Sequence, residues 1–376
     1  MMIPIAKPYL DKEDAQAAYE TILTGWITQG PRVQEFEEKF AKYTGAKYAV
    51  AVSNCTTALH LAMIVSGISE DDEVICPSLS YIATANSIKY TGATPIFAEV
   101  CPETYNLSAA DTETKITAKT KAVLLVHQMG MPAEIDAFKQ LCETYNLKLI
   151  EDAACAVGSS YKGKKIGSHS EIICFSFHPR KVISTGDGGM ITTNRPDYYE
   201  RLKLLRQHGM TVNDRVRHES SKVIFEEYVE VGYNYRMTDI QAAVGIKQLD
   251  KLDWLIEERR KIAAAYYKAF RDIDCIRLPE EPSTCYTNWQ SYSIYLKKNA
   301  PIDRNTLMQK LLDEGIATRR GVMTTHRELA YSKTHGNIKL PVSEDLHDRS
   351  IILPLYVPMK EQEIQKVIDV FLKLIR

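Results

Sequence analysis

The sequence predicts an α/β protein: a large domain around a mostly parallel sheet, followed by a smaller α+β domain. Two observations carry that expectation. From about residue 48 onward, short β-branched runs alternate with helix-length segments, and after about residue 290 the pattern becomes strand, helix, strand, helix. Strands separated by helix-length segments need crossover connections, and crossovers cover both faces of a parallel sheet.

The strands are expected at Tyr48–Ser53, Glu73–Pro77, Pro95–Val100, Lys121–His127 and Leu147–Asp152, with helices such as Thr57–Val65 and Ala133–Tyr145 between several of them. Two further apolar runs, Glu171–Phe177 and Gly189–Thr193, flank a Gly-rich turn, and Pro196–His208 reads as the next helix. Thr211–Glu230 is polar and reads as a mobile connection. Thr238–Phe270 carries helical periodicity through Ile240, Ala243, Ile246, Leu249 and Leu252, which predicts one long helix bridging two domains, 1–245 and 246–376. The remainder gives strand Ser291–Leu296, helix Asp303–Gly315 with Gly at its end, strand Ile351–Tyr356 and a final helix Lys360–Arg376.

Composition narrows the function classes. The 376 residues are 45% hydrophobic and 25% charged, which is globular and argues against disorder, collagen or a coiled coil. Lys+Arg 47 against Asp+Glu 48 leaves a net charge of −1 with no like-charged block, so neither nucleic acid nor an anionic membrane is the expected partner. No apolar run is long enough to span a bilayer, and MMIPIAKPYLDKED lacks the pattern of a secretory leader, so the expected location is cytoplasmic. Eight cysteines without CxxC and nine histidines without HxH or HExxH suggest reduced thiols and no metal site.

In open α/β sheets ligands bind beyond the carboxyl ends of strands, and there this chain places its unusual residues. Lys181 follows the apolar strand ending at Phe177, beside His178 and Arg180. Such a crevice can lower a lysine pKa and make the amine a nucleophile toward carbonyls; a surface lysine in a basic turn is the plainer alternative. Asp152 follows a second apolar strand. An ionised carboxylate opposite a pyridine nitrogen keeps that nitrogen protonated, although an acid here would also serve as a helix cap. Ser53-Asn-Cys55-Thr56-Thr57 opens a helix whose N–H groups suit a phosphate, or simply caps itself. Tyr81 offers a ring for stacking on a planar heterocycle, or for core packing.

Taken together, Ser176-Phe-His178-x-x-Lys181, Gly186-Asp-Gly-Gly189, Glu151-Asp-Ala-Ala154 and Gly232-Tyr-Asn-Tyr-Arg-Met-Thr238 resemble the DegT/StrS-type sugar aminotransferases. These are pyridoxal-phosphate (PLP) enzymes of the aspartate-aminotransferase fold, fold type I. The ordered match runs from Gly25-Trp-Ile-Thr-Gln-Gly-Pro31 to Leu353-Pro-Leu-Tyr356. The resemblance implies that Lys181 forms the Schiff base with PLP, Asp152 pairs with the pyridine nitrogen and Tyr81 stacks on the ring. It implies that Cys55, Thr56 and Ser176 hold the phosphate, and that Asn234 reaches the neighbouring subunit's site in a homodimer.

The chain departs from the family pattern at three places. Cys55 stands where Gly is frequent, Cys155 where Gln lies near the cofactor's phenolic oxygen, and Asp187 where the turn usually carries Glu. A thiol is the poorer hydrogen-bonding group, which weakens the contact expected of Cys155. Relatives with His in place of the lysine are deoxysugar dehydratases, so Lys181 points to amino transfer. The implied reaction moves an amino group from L-glutamate to a nucleotide-linked keto sugar, expected to be a 4-keto-6-deoxyhexose, in surface-polysaccharide or deoxyamino-sugar biosynthesis. Trp26, Thr28 and Gln29 match a segment near the substrate, while Arg236, Arg319, Arg320 and His326 are candidates for contacts to its diphosphate or to the donor carboxylate. The alternatives are a cyclitol (inosose-type) aminotransferase and a non-catalytic PLP-binding regulator.

Overall fold

The computed structural model describes residues 2–212, 217 and 220–375. Its strands in chain order are β1 (Tyr48–Val52), β2 (Glu73–Pro77), β3 (Thr94–Ala98), β4 (Thr120–Val126), β5 (Lys148–Asp152), β6 (Ser160–Tyr161) and β7 (Lys164–Lys165). They continue with β8 (Ile172–Ser176), β9 (Gly189–Thr193), β10 (Ile276–Arg277), β11 (Cys285–Tyr286), β12 (Tyr292–Leu296), β13 (Arg319–Arg320) and β14 (Ser350–Leu353). A seven-stranded sheet has the order β1-β9-β8-β5-β4-β2-β3, and β9 alone runs against both of its neighbours. The other pairings in it are parallel.

Alternation along the strands divides two cores. Ala49, Ala51, Val123, Leu125, Ile173 and Phe175 face one side, where the helices Pro31–Thr44, Ile135–Tyr145 and Asp239–Asp250 cover them. Val50, Val52, Leu124, Ile150, Ile172 and Cys174 face the other, under helices Cys55–Val65 and Pro196–Leu205. On the first side, Phe40 meets Phe175 at 5.0 Å and Phe36 meets Phe177 at 5.3 Å between ring centroids. Each such contact adds roughly 0.5–1.5 kcal/mol beyond burial and buttresses the segment that leads to Lys181.

A second sheet, β10-β12-β14-β13, packs with helices Arg304–Asp313 and Glu361–Ile375 around a third core containing Phe270, Tyr292, Leu307 and Phe371. Ile3 joins this core and pairs with Ile316, so the chain's first residues pack with its last third. No helix among the described residues is long and apolar enough to cross a membrane.

The long helix expected over Thr238–Phe270 is two helices, Asp239–Asp250 and Leu252–Phe270, separated at Lys251. There the N–H donates to the Gln248 carbonyl, three residues back where an α-helix reaches four, while the Lys251 ammonium lies 2.6 Å from Asp11 and 3.1 Å from Asp14. Leu249 and Leu252 are both buried on either side of the break, so the apolar period passes through it unmarked. Of the polar stretch Thr211–Glu230, positions 213–216 and 218–219 lie outside the described residues. In the part described, Met210 bridges to Tyr228.

Candidate active site

Three chain segments converge at the carboxyl ends of β5 and β8. β5 delivers Asp152, only 5% exposed. The turn after β8 delivers Lys181, whose N–H donates to the His178 carbonyl at 2.8 Å. The Lys181 ammonium donates to the Cys155 sulfur at 3.1 Å, just past the end of β5. The helix starting at Cys55 closes the third side, capped by Asn54, whose side chain accepts the Thr57 N–H at 2.9 Å.

The Gly-rich turn explains how the helix start comes so close. Gly186 sits at φ +89°, and a Cβ on Gly189 would lie 2.5 Å from the Asn54 carbonyl and 2.8 Å from the Cys55 nitrogen. β9 therefore begins against the first N–H groups of the helix, and its register places Gly189 beside both Ser176 and Val52. The result is a cradle of helix N–H groups, the Thr56 hydroxyl and the largely buried Ser176 hydroxyl, a donor set suited to a phosphate.

Electrostatics follow from burial. Burial pushes the Asp152 carboxyl above its ordinary range, opposed by the Ala154 N–H at 3.1 Å, the Thr84 hydroxyl at 3.0 Å and the nearby Lys181 charge. Burial likewise pushes the Cys55 thiol well up, with Asp152 adding to the effect. For Lys181 burial works against the charge, yet Cys155, Cys55 and Asp152 outweigh it and hold the amine above the usual lysine range. That corrects the sequence argument, which anticipates a depressed value: the crevice brings sulfur and carboxylate to the amine as well as burying it.

Two further groups escaped the sequence reading. Thr84 donates to Asp152, so the Ser80 hydroxyl, 2.8 Å from Thr84, must donate in turn to Thr84. His127 and Glu151 form a fully buried pair at 2.8 Å. The Ala133 N–H donates to Nδ1 of His127, leaving Nε2 as the donor to Glu151. Burial disfavours the Glu151 charge, but His127 overcomes this and holds its pKa low. The His127 N–H also donates to the Asp152 carbonyl at 3.0 Å, which braces the strand end from beneath. A hydroxyl three residues after a tyrosine and a histidine at a strand end carry no sequence signal until the fold brings them to Asp152.

The other candidates are arranged around this centre or apart from it. Tyr81 is 64% exposed and lies within electrostatic range of Arg319. Trp26 donates to the Gln29 carbonyl at 3.1 Å, and the Thr28 carbonyl accepts the Asp239 N–H, which ties this turn to the Asp239–Asp250 helix. The Gln29 side-chain oxygen is buried and has no partner among the described residues. Asn234 is exposed, and Arg236 is half-buried. Arg319 and Arg320 are exposed on β13, with Arg320 3.4 Å from Glu328. His326 does not join the cluster: Nδ1 meets the Ser78 hydroxyl at 2.6 Å and Nε2 meets Glu344 at 3.3 Å, so it pins its turn to the end of β2.

A buried acid, an amine within a crevice and a phosphate cradle fit PLP, with Asp152 for the ring nitrogen, Lys181 for the aldehyde carbon and the helix start for the phosphate. Comparisons with known proteins point to the same cofactor. The sequence profile of the DegT/DnrJ/EryC1/StrS aminotransferase family matches residues 8–372. The chain is 39% identical over 363 residues to GDP-perosamine synthase of Escherichia coli O157:H7, covering 96% of this chain and 95% of that protein. It is 36% identical over 371 residues to the spore coat polysaccharide biosynthesis protein SpsC of Bacillus subtilis (strain 168), covering 98% and 95%. Among solved structures, the Helicobacter pylori aminotransferase PseC, involved in pseudoaminic acid biosynthesis, superimposes with TM-score 0.93 at 28% identity over 100% of this chain and 99% of that one.

Proposed function

The chain belongs to the DegT/DnrJ/EryC1/StrS aminotransferase family and is a PLP-dependent sugar aminotransferase, and we propose that it carries an amino group from L-glutamate to a nucleotide-linked 4-keto-6-deoxyhexose. The observation that carries the reading is the meeting of Lys181 and the buried Asp152 at adjacent strand ends, beside a helix start that suits a phosphate.

When bound, PLP supplies an aldehyde that carries the amino group and a ring that spreads negative charge from the reacting carbon. This chain's residues divide the remaining work. Asp152 holds a proton at the ring nitrogen, and its own orientation is fixed by Thr84 and Ala154. With PLP bound, Lys181 would hold the aldehyde carbon and would serve as the general acid–base for the proton at the donor's α-carbon. Cys155 touches the Lys181 amine and would lie beside the cofactor's phenolic oxygen. Cys55, Thr56 and Ser176 hold the phosphate, and Tyr81 covers the ring face from the mouth.

The substrate side draws on Trp26, Thr28, Gln29, Arg236, Arg319 and Arg320. The buried, unpartnered oxygen of Gln29 suits a sugar hydroxyl, since a buried acceptor without a donor is costly. A homodimer completes the site in this reading. The segment before Asn234 exposes Val223 (82%), Phe225 (87%) and Val231 (87%), apolar surface that a second copy would cover while Asn234 enters its partner's pocket.

The test is a two-step absorbance experiment on the PLP-loaded enzyme. Glutamate shifts the bound cofactor's spectrum to the pyridoxamine form, and a panel of nucleotide-linked keto sugars is then scored for return of the starting spectrum, with NMR of the product. Return with a cyclitol ketone and none of the sugar nucleotides would move the substrate to that class. A protein that never completes the cycle would be a PLP-binding regulator. Sedimentation of the holoenzyme as a monomer would remove the shared-site proposal.

A further inference from the structure

The chain between β11 and β12, residues 287–291, belongs to no helix or strand, yet it is held from several directions. Trp289 sits at φ +48°, a region that a bulky side chain adopts only where its surroundings over-determine it. Arg259 supplies part of that constraint. It is buried and donates to the carbonyls of Trp289 at 2.9 Å, Gln290 at 2.6 Å and Leu355 at 3.2 Å. Burial pushes its pKa down to about 9, and the three carbonyls compensate the cation.

What this segment grips lies next to the reacting centre. Asn288 is fully buried and uses both of its amide protons, donating to the Cys155 and Val157 carbonyls, each at 2.8 Å, while its side-chain oxygen accepts the Gln290 N–H at 2.9 Å. Its own N–H donates to the Ser159 hydroxyl at 3.0 Å, and Ser159 donates to the Gly130 carbonyl at 2.7 Å. Gly130 leaves the room for this, since a Cβ there would overlap the Asn288 oxygen. Two residues on, the Gln290 amide donates to the Arg180 carbonyl at 3.0 Å, and the Ser291 hydroxyl donates to the Gln290 oxygen at 3.1 Å. One short stretch of chain thus holds the turn after β5, which carries Cys155, and the turn after β8, which carries Lys181. The two turns meet where the Lys181 amine donates to the Cys155 sulfur at 3.1 Å.

We propose that Asn288 and Gln290 are positioning residues: one fixes the Cys155 turn, the other fixes the Lys181 turn, and their place on one braced segment sets the aim of the Lys181 amine. The proposal rests on Lys181 as the reacting amine and adds the source of its alignment. A misplacement of about 1 Å at a reacting group can cost about a hundredfold in rate, so hydrogen bonds to remote backbone carry weight beyond their own strength.

The test adds PLP to the full-length protein freed of it and follows Schiff-base absorbance at a series of pH values. Capture requires the uncharged amine, so its rate rises with pH through the titration of Lys181. Burial works against the charge of that amine, Cys155, Cys55 and Asp152 outweigh it, and His178 and Arg180 stand in the same turn. Gln290→Met and Asn288→Leu keep the approximate shapes and remove the donors. Each is expected to loosen Cys155 from the amine and move the midpoint of capture about half to one unit toward acid. Each should also lower kcat about tenfold to a hundredfold, with KM for glutamate within about threefold of wild type. Arg260→Gln is the control. It gives up Glu281 and the Thr287 carbonyl at the near end of the same segment, so it should lower the melting temperature and leave midpoint and kcat in place. Gln290 is half-buried, so Gln290→Met is expected to fold even where Asn288→Leu does not, and an unmoved midpoint in it overturns the proposal. A shift of equal size in Arg260→Gln overturns it as well, because loosening the segment anywhere would then suffice. Capture of PLP by Lys181→Ala as readily as by wild type would sink the reading of Lys181 itself, whereas Lys181-dependent capture with unmoved variants sinks the positioning role alone.

Discussion

Replacing Thr84 with Val removes one of two donors that hold the buried carboxylate of Asp152 and leaves the Ser80 hydroxyl without its acceptor. A hydrogen bond to a charged group is worth about 1.5–3 kcal/mol, equivalent to roughly one to two pKa units for a carboxylate this deeply buried. Because burial already raises Asp152, the native protein holds its proton to higher pH than the unfolded chain does. This contribution to stability is therefore fully present below the ordinary aspartate range and is lost as pH rises through the raised native value. Thr84→Val raises that value further and enlarges the loss. Urea unfolding of the PLP-free protein at a series of pH values should thus show a gap between wild type and variant that is widest near neutrality, by about 1.5–3 kcal/mol, and narrows toward acid. Thr84→Ser, which keeps the hydroxyl, should close most of the gap. A gap of constant size across the series would mean that Thr84 acts through packing alone and that its bond to Asp152 carries no electrostatic weight.

Other perturbations separate chemistry from architecture. Lys181→Ala is expected to remain folded, since among the described residues the ammonium donates a hydrogen bond to Cys155 alone, and to lose transamination by several orders of magnitude in single-turnover absorbance measurements; near-normal turnover would exclude it as the reacting amine. Asp152→Asn should keep the shape and slow the glutamate half-reaction severely, visible as a slower spectral change at saturating donor. Gly189→Ala places a Cβ 2.5 Å from the Asn54 carbonyl and should cost about 1–3 kcal/mol in chemical unfolding, with weakened PLP retention. Glu151→Leu strips His127 of its buried partner and should cost about 3–5 kcal/mol, whereas an effect below about 1 kcal/mol would show that the pair braces nothing.

Much of the large domain was legible because buried parallel strands read as continuous apolar runs whose ends are marked by polar residues. The expected and observed bounds of Glu73–Pro77 and Gly189–Thr193 coincide, and those of the strand carrying Asp152 differ by one residue. The direction of β9 was not legible, since a strand buried on both faces has the same composition in either sense. The first two helices, Lys12–Leu23 and Pro31–Thr44, are absent from the sequence expectation, although Asp11 and Asp14 form a capping box and Pro31 stands at a first helical position. Within the site, Lys181, Asp152 and Cys55 follow strands and could be picked out by position. Thr84 and His127 matter through partners far away in sequence, and the anchoring of His326 on Ser78 likewise depends on a contact made only by the fold.

The Leu252–Phe270 helix is embedded twice: Leu252, Leu255 and Ile256 lie in the core beneath the seven-stranded sheet, and Ile262, Tyr266 and Phe270 lie in the core of the last third. A stiff rod seated in two bodies resists a wide swing of one against the other, because rotation would drag apolar side chains out of one seat or the other. Small-angle scattering should accordingly give the same radius of gyration with and without glutamate, and a marked contraction would contradict this view. The enzyme would then work with a doorway of nearly constant width, and the proposed substrate would leave its nucleotide outside the threshold while only its sugar enters.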